Sequence, residues 1–256
     1  MKNDIKNLPY VCLFGIPILS VTMSEILDVL HKQIKEREPI QIGVVNAAKV
    51  VNMHRDKSLK EDVLSSDIIL ADGAGVVLAS VLLRKPLPER VTGIDLMYEL
   101  FQKGTTLSYR VYCLGATEAV SKTMEDKIKS DYPGLILAGR HNGYFTSEEE
   151  ESIANEIAES KADILLVAMT SPKKENFLAR WSDRMNVPIC HGVGGSFDVM
   201  AGKVKRAPIL WQRMGMEWLF RVIQEPRRMW KRYLVTNTIF MWLLLKELGK
   251  KLLARG

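Results

Sequence analysis

The sequence predicts an α/β fold built on an open, mainly parallel β-sheet with helices on both faces. Three features of the 256-residue chain indicate this: short apolar runs alternate with helix-period segments, glycine turns follow several of the runs, and 47% of the residues are hydrophobic. Strands covered on both faces are typically continuous runs of Val, Ile and Leu, and residues 163–168 show such a run. A chain of this length can bury one large core.

Six segments are predicted to be the strands of this sheet. They are Ile40–Val45, Asp67–Leu70, Tyr109–Leu114, Leu135–Gly139, Ile164–Met169 and Pro188–Gly192. Helical periodicity follows most of them, in Ala48–Leu64, Glu118–Asp131, Ser147–Glu159 and Pro172–Met185. Because strands and helices alternate along the chain, we expect parallel crossover connections and a Rossmann-like arrangement.

Composition argues against a secreted or membrane-spanning protein. Cys12, Cys113 and Cys190 lie far apart in apolar segments, so we predict reduced core residues in a cytosolic protein. The first 23 residues lack the pattern of a secretory signal peptide. The longest apolar run near the C-terminus, Val235–Leu245, is shorter than the roughly 20 residues that a membrane-spanning helix needs.

The last quarter of the chain is strongly basic. Residues 202–256 contain 13 Lys or Arg and 3 Glu, whereas the whole chain has a formal net charge of +6. Aromatic residues are interleaved with these charges, at Trp211, Trp218, Phe220, Trp230, Tyr233, Phe240 and Trp242. This composition suits a surface of phosphates, either anionic lipid or nucleic acid. We therefore predict a catalytic core at 1–201 and a basic C-terminal appendage at 202–256.

Candidate ligand-binding residues come directly after the predicted strands, because ligands bind outside the carboxyl ends of the strands in such sheets. Glycine turns at Gly115–Thr117 and Gly194–Ser196 can offer backbone amides to a phosphate beside a helix N-terminus, although each turn taken alone is more typical of ordinary βα geometry. No glycine turn completes a dinucleotide fingerprint, which disfavours a nucleotide-dependent oxidoreductase.

On position alone, Asp72 is a candidate catalytic carboxylate, although its spacing favours an aspartate that caps a helix. It follows the apolar run 68–71 and precedes Gly73, at the edge where ligands are expected. A carboxylate there can take a proton from a hydroxyl if burial raises its pKa, and the alternative is an aspartate that caps the next helix.

His191, at the end of an apolar run, is interpreted as structural. No Asp-x-Asp pair occurs and the four histidines are scattered, so no metal site is predicted.

Six ordered motifs run through most of the chain. They are VNAAK at 45–49, ADGAGVV at 71–77, RVTGIDL at 90–96, SPKKE at 171–175, GVGGSFDVMAGKVKRAP at 192–208 and EWLFRVIQEPRR at 217–228. In order and spacing they resemble the WecG/TagA/CpsF family of bacterial glycosyltransferases (glycosyltransferase family 26). The resemblance implies inverting transfer from a UDP-sugar to a sugar on undecaprenyl diphosphate, in cell-surface polysaccharide synthesis, with no metal and no cofactor.

The resemblance also implies roles for individual residues. Asp72 matches the aspartate that is the proposed general base of the family. At the donor we expect Asn46, Gly115, Ala116, Thr117, Glu175, Gly194, Gly195, Ser196 and Asp198. At the acceptor pyrophosphate we expect Arg90, Arg221, Arg227, Arg228, Lys231 and Arg232. For Arg90, an exposed ion pair is an equal alternative.

The sequence departs from the family pattern at the donor edge. Thr170 and Lys174 stand where members commonly have Gly and Gln, and Val44 stands where some members have Thr. These changes add a positive charge and remove a hydroxyl. N-acetylmannosamine, its uronic acid and glucose therefore all stay compatible as the donated sugar.

The basic tail is expected to serve two purposes. Glu217–Tyr233 should close over Asp72 and bind the acceptor pyrophosphate, with Pro226 starting a helix. Val235–Gly256 should form an amphipathic helix on an anionic membrane surface. The apolar face of that helix is predicted to contain Ile239, Phe240, Leu243 and Leu244.

These expectations describe a cytoplasmic enzyme bound peripherally to the inner face of the cell membrane. Its partners would be a UDP-sugar, a polyprenyl-diphosphate-linked sugar and anionic lipid, without nucleic acid, and a homo-oligomer is left open. The alternative is a non-catalytic α/β protein that binds nucleic acid through its basic tail.

Overall fold

This computed structural model describes residue 5 and residues 7–253, except for the side chains of Arg228 and Leu252. An antiparallel hairpin of β1 (Tyr10–Leu13) and β2 (Ile16–Leu19) precedes the main sheet. The main sheet contains β3 (Ile40–Val45), β4 (Ile68–Ala71), β5 (Arg110–Gly115), β6 (Ile136–His141), β7 (Ile164–Ala168) and β8 (Ile189–Gly192). The strand order is β4-β3-β8-β7-β5-β6, and every neighbouring pair is parallel.

Helices connect the strands and cover both faces of the sheet. In the first half these are α1 (Met23–Glu36), α2 (Ala47–Arg55), α3 (Lys57–Leu64), α4 (Ala74–Leu82) and α5 (Gly93–Leu107). In the second half they are α6 (Glu118–Asp131), α7 (Glu150–Glu159), α8 (Lys173–Met185), α9 (Ser196–Met200), α10 (Ile209–Arg213), α11 (Glu217–Gln224) and α12 (Pro226–Leu253).

The predicted α/β class is confirmed, and the six predicted strands occur with ends within two residues of expectation. The single helix predicted over Ala48–Leu64 is wrong, because two helices occupy that segment. Asp56 separates them with an extended backbone, and its carboxylate accepts a hydrogen bond of 3.1 Å from the Leu59 amide. An aspartate at this position caps the second helix and so ends the first.

Side chains alternate between two apolar layers along each central strand. On β7, Ile164 and Leu166 join a cluster with α1, α5 and α6, whereas Leu165 and Val167 join a cluster with α7 and α8. Successive residues of a strand point to opposite faces, so a strand covered by helices on both sides must be apolar throughout. This explains why the strand signal was easy to recognise in the sequence.

The C-terminal helix requires the main correction. Pro226 is its first residue, as predicted, but α12 then runs without a break to Leu253. Phe240, Leu243 and Leu244 were expected to face lipid, and instead they are buried in a cluster with the hairpin, α2 and α4. The ring of Phe240 lies 5.3 Å from that of Phe14. The hairpin and these helices provide an apolar surface within the protein, and this surface covers the predicted lipid-facing side.

The opposite side of α12 carries a second set of apolar side chains. Leu234, Met241, Trp242 and Leu245 are each about half exposed or more. No helix within the described residues is both long and apolar enough to span a membrane.

The prediction for the cysteines is correct at two positions. Cys113 and Cys190 are buried, and burial raises the pKa of each thiol to about 12. Cys12 was also expected in the core and is exposed, because it lies on the outer side of the hairpin strand β1.

Candidate active site

Asp72 and most of the predicted donor residues lie along the carboxyl edge of the sheet. Asn46 follows β3, Asp72 follows β4 and Gly194–Ser196 follows β8, while the turn Gly115–Thr117 begins at the last residue of β5. The connection after β5 leads outward to β6, and the one after β7 leads back to β8. Such a divergence opens a crevice between neighbouring strands, which is the usual ligand position in open α/β sheets.

Asp72 is held at this edge by two backbone groups. Its amide donates to the Val45 carbonyl at 2.9 Å, and its Oδ1 accepts from the Gly93 amide at 3.2 Å. Gly93 is the first residue of α5, so the carboxylate meets the N-terminus of that helix. The next helix in sequence, α4, begins after Gly73 without a side-chain cap. Asp72 is therefore not the cap of the following helix that was the alternative interpretation.

The surroundings of Asp72 change its acidity. Burial raises the pKa of the carboxyl to about 6, although the Gly93 amide, Arg221 and Arg90 favour the ionised form. Glu217 acts in the opposite direction. A carboxylate with this pKa is largely ionised at neutral pH and still basic enough to accept a proton.

Helix α11 lies beside this carboxylate. Glu217 Oε2 accepts from Arg90 Nη1 at 2.6 Å, so the pair joins α11 to the segment before α5. Gly215, in the turn before α11, has φ +70°, and a Cβ there would lie 2.6 Å from the Cβ of Ala74. Arg90 thus forms an ion pair with the C-terminal segment, but the pair is not the exposed one of the alternative, because only 20% of the Arg90 side chain and 29% of the Glu217 side chain are exposed.

Among the other predicted acceptor residues, Arg221 acts on the Asp72 carboxylate, whereas Arg227, Lys231 and Arg232 are not among the charges that shift its pKa. Arg227, Lys231 and Arg232 have exposed side chains on the first turns of α12. Within the described part of the chain, no carboxylate forms an ion pair with any of these three. The Arg228 side chain lies outside the described residues, so its predicted role stays a prediction.

The Gly115–Thr117 turn packs closely on the neighbouring strand. Gly115 has φ +128°, and a Cβ there would lie 2.5 Å from the Ala168 carbonyl. The Ala116 amide donates to the same carbonyl at 3.0 Å. Thr117 caps α6 by accepting from Val120 at 3.4 Å. The Ala116 amide, predicted to meet the donor, therefore has a partner within the fold.

The turn after β8 is more open. In the described part of the chain, no heavy atom other than those of chain neighbours lies within 4 Å of a Cβ placed on Gly194 or Gly195. Ser196 is buried and donates its hydroxyl to the Val193 carbonyl at 2.7 Å. Asp198 lies 3.5 Å from Lys203 in a partly exposed ion pair. Asn46 caps α2, accepting from the Lys49 amide at 3.0 Å.

Glu175 is buried in a cluster of charges rather than exposed to the crevice. It forms ion pairs with Lys49 and with Lys174, whose Nζ lies 3.4 Å from its Oε1. Burial acts to raise the pKa of Glu175, but the two lysines bring it below its usual value. The Lys174 side chain crosses Gly192, where a Cβ would lie 2.8 Å from it. Lys174, which departs from the family pattern, is therefore accommodated by its ion pair with Glu175 and by the absence of a side chain at Gly192.

In the described residues, no group of three or more His, Cys, Asp or Glu side chains has the arrangement of a metal site. The expected metal independence stays a prediction.

Comparison with known proteins agrees with the motifs. The family model described as the glycosyl transferase WecG/TagA/CpsF family matches residues 11–253. The chain belongs to this family. One relative, an N-acetylglucosaminyldiphosphoundecaprenol N-acetyl-beta-D-mannosaminyltransferase of Bacillus subtilis (strain 168), is 32% identical over 97% of this chain and 93% of its own length.

A protein of the same description from Bacillus spizizenii is 40% identical over 68% of this chain and 67% of its own length. The chain is thus a glycosyltransferase by family, and the recognition based on six motifs is confirmed.

Three residues beside Asp72 were missed as site residues. Gly93 and Glu217 belong to the quoted motifs RVTGIDL and EWLFRVIQEPRR, and that membership was the available signal. His191 contacts Gly93 from β8. Linear spacing could not pair these residues. Gly93 lies 21 residues from Asp72 and 98 residues from His191, and Glu217 lies 127 residues from Arg90.

Proposed function

We propose that this family member transfers N-acetylmannosamine from its UDP derivative to N-acetylglucosamine on undecaprenyl diphosphate, with inversion and without a metal ion. The names of both relatives support the sugar, the acceptor and the lipid carrier. The observation that carries the proposal is the Asp72 carboxylate, with a pKa of about 6, flanked by Arg90 and Arg221 at the ligand-binding edge.

The reaction is a single displacement. Asp72 takes the proton of the acceptor hydroxyl while that oxygen bonds to the anomeric carbon, and the bond from this carbon to UDP breaks. The electron pair of the broken bond leaves with UDP, and the configuration inverts because the hydroxyl attacks the face of the anomeric carbon opposite UDP. Arg90 and Arg221 supply positive charge to the pyrophosphate groups, a role that basic side chains fill through charge-assisted hydrogen bonds.

Exposed apolar side chains on α4 and in the C-terminal segment support peripheral binding to an anionic membrane, at its inner face. They include α4 side chains that the sequence pattern did not assign, with Leu78 58% and Val81 55% exposed. Other exposed members are Leu82, Ile209, Leu210, Met214, Trp218, Ile223, Trp230 and Trp242. Apolar side chains next to basic ones suit the headgroup layer, where the lipid carrier of the acceptor lies.

The test of catalysis is product formation from UDP-N-acetylmannosamine and a short-chain polyprenyl-diphosphate N-acetylglucosamine, followed by mass and anomeric configuration. Asp72→Asn should lower kcat by about 10²–10⁴-fold while UDP still binds, because only the base is lost. Asp28→Asn is the matched control, since Asp28 lies on the surface in an ion pair with Lys103. Near-wild-type turnover by Asp72→Asn would refute the assignment of the base.

The same assay tests the remaining parts of the proposal. Activity should persist in EDTA, and loss of activity that added metal restores would contradict metal independence. UDP-linked N-acetylmannosaminuronic acid and UDP-glucose are the competing donors, and a preference for either one would replace the proposed sugar.

Membrane binding is tested by sedimentation with anionic and neutral vesicles. Point variants are needed, because truncation before residue 202 would also remove the buried Phe240. Leu78→Ser with Val81→Ser should weaken binding to anionic vesicles without changing the melting temperature. Binding to nucleic acid alone would support the alternative function instead.

A further inference from the structure

A fully buried histidine is connected to Asp72 through a single residue. His191, at 0% exposure on β8, has its Nε2 at 3.0 Å from the Gly93 carbonyl oxygen. The amide of the same Gly93 donates to Asp72 Oδ1 at 3.2 Å. A carbonyl oxygen only accepts, so this hydrogen bond requires the hydrogen on Nε2, and the Ile42 backbone on β3 is the other polar group at the ring.

Gly93 requires a support of this kind. As the first residue of α5, it has an amide without a partner inside the helix, and this is the amide that reaches Asp72. Glycine has no side chain to anchor it. The hydroxyl of Thr92, the neighbouring cap, is bonded to Asp95 instead. The His191 ring packs directly against Gly93, since a Cβ on Gly93 would lie 3.5 Å from ring atom Cε1.

We propose that His191 is a positioning residue for the catalytic base: it holds Gly93 so that the Gly93 amide stays bonded to the Asp72 carboxylate. The inference rests on the role of Asp72 in the proposed function. It assigns a purpose to a buried polar side chain in an otherwise apolar strand, whose cost of burial an apolar residue would avoid.

The effect passes through geometry and not through charge on the ring. Burial lowers the pKa of His191 to about 4, so the imidazole is neutral near pH 7. The charged groups that act on Asp72 are Arg90 before α5, Glu217 and Arg221 on α11, and Lys174 on α8. A substitution at position 191 removes none of these charges, and Lys174 is the one among them that also acts on His191.

The decisive measurement is the titration of Asp72 by NMR of protein carrying ¹³C-labelled aspartate, assigned with Asp72→Asn. His191→Leu should raise the pKa of Asp72 by about one unit, because the ionised form loses much of one hydrogen bond. His191→Gln, whose side-chain amide retains a donor, should keep the wild-type titration. His54→Leu, at an exposed histidine, is the matched control.

The acidic limb of the pH profile of kcat/KM should move with the pKa of Asp72. Below both pKa values, His191→Leu should reduce kcat/KM by about tenfold, with unchanged affinity for UDP. A general loss of packing would lower stability without displacing this limb. The proposal is overturned if His191→Leu leaves the Asp72 titration unchanged, or if His191→Gln shifts it equally.

A wild-type measurement covers the case in which His191→Leu does not fold. The ¹⁵N shifts of the His191 ring should report a neutral Nε2–H tautomer from about pH 5 to about pH 8. A charged ring or the Nδ1–H tautomer would overturn the proposal. Both NMR readouts are independent of turnover, so an active Asp72→Asn variant would refute the proposed function while the His191 connection could still be observed.

Discussion

Replacing Gly215 with alanine tests whether the C-terminal segment must lie against the catalytic edge. Gly215 precedes α11 with φ +70°, and its Cβ would lie 2.6 Å from the Cβ of Ala74. Among the described residues, no other heavy atom outside its immediate chain neighbours lies within 4 Å of that position. Any adjustment at this contact moves α11, which carries Glu217 and Arg221, relative to Asp72.

Two costs are expected for Gly215→Ala. A left-handed backbone conformation costs alanine about 1 kcal/mol relative to glycine. The added methyl group costs about 1–3 kcal/mol more, the usual range for an overpacked contact. Gly202→Ala is the matched control, because Gly202 has φ +78° and a Cβ placed on it would have no described residue except its chain neighbours within 4 Å. We therefore expect a loss of about 2–4 kcal/mol at position 215 and about 1 kcal/mol at position 202.

The assay is urea unfolding combined with kcat/KM. Ala74→Gly removes the methyl group that the new Cβ would meet, so the double variant should recover about 1–3 kcal/mol relative to additivity, together with part of the activity. Equal losses of stability for Gly215→Ala and Gly202→Ala, or strictly additive effects of the changes at 74 and 215, would refute the close seating of α11 on α4.

Two further variants test the charges at the site, and two test the C-terminal helix. Arg90→Gln should raise the pKa of Asp72 and move the acidic limb of kcat/KM to higher pH, whereas Glu217→Gln should move it to lower pH; pH profiles displaced in the same direction would contradict this electrostatic arrangement. Phe240→Ala should lower the free energy of unfolding by about 3–5 kcal/mol, and Trp242→Ala by less than about 1 kcal/mol, in urea titrations. Similar losses would contradict the burial of one face of α12.

Much of the catalytic edge could be predicted because its signals are local. A continuous apolar run indicates a strand buried on both faces, and the residue after the run must emerge at the carboxyl edge. Asp72 was located in this way, and the family motifs then suggested its role as a base. Helix starts at Asp56 and Pro226 likewise depend on neighbouring residues, although only the second was recognised.

The acidity of Asp72 could not be predicted, because it depends on residues that are distant in sequence. Arg90 lies before α5 and Gly93 is the first residue of that helix, whereas Arg221 and Glu217 come from α11, more than a hundred residues later. Their approach requires the sheet order and the Gly215 contact. The buried pair of Lys49 with Glu175 has the same origin, since strand order alone brings α2 and α8 together.

The amino-acid sequence by itself determined the α/β class, the strands, the family and the position of Asp72, because each depends on residue type within a short window. The tertiary structure alone decided the environment of Asp72 and the orientation of α12. That helix is apolar on two sides, and helical periodicity cannot distinguish the side with Phe240, which packs on the hairpin, from the exposed side with Trp242. Only the surface presented by the rest of the chain selects the buried side.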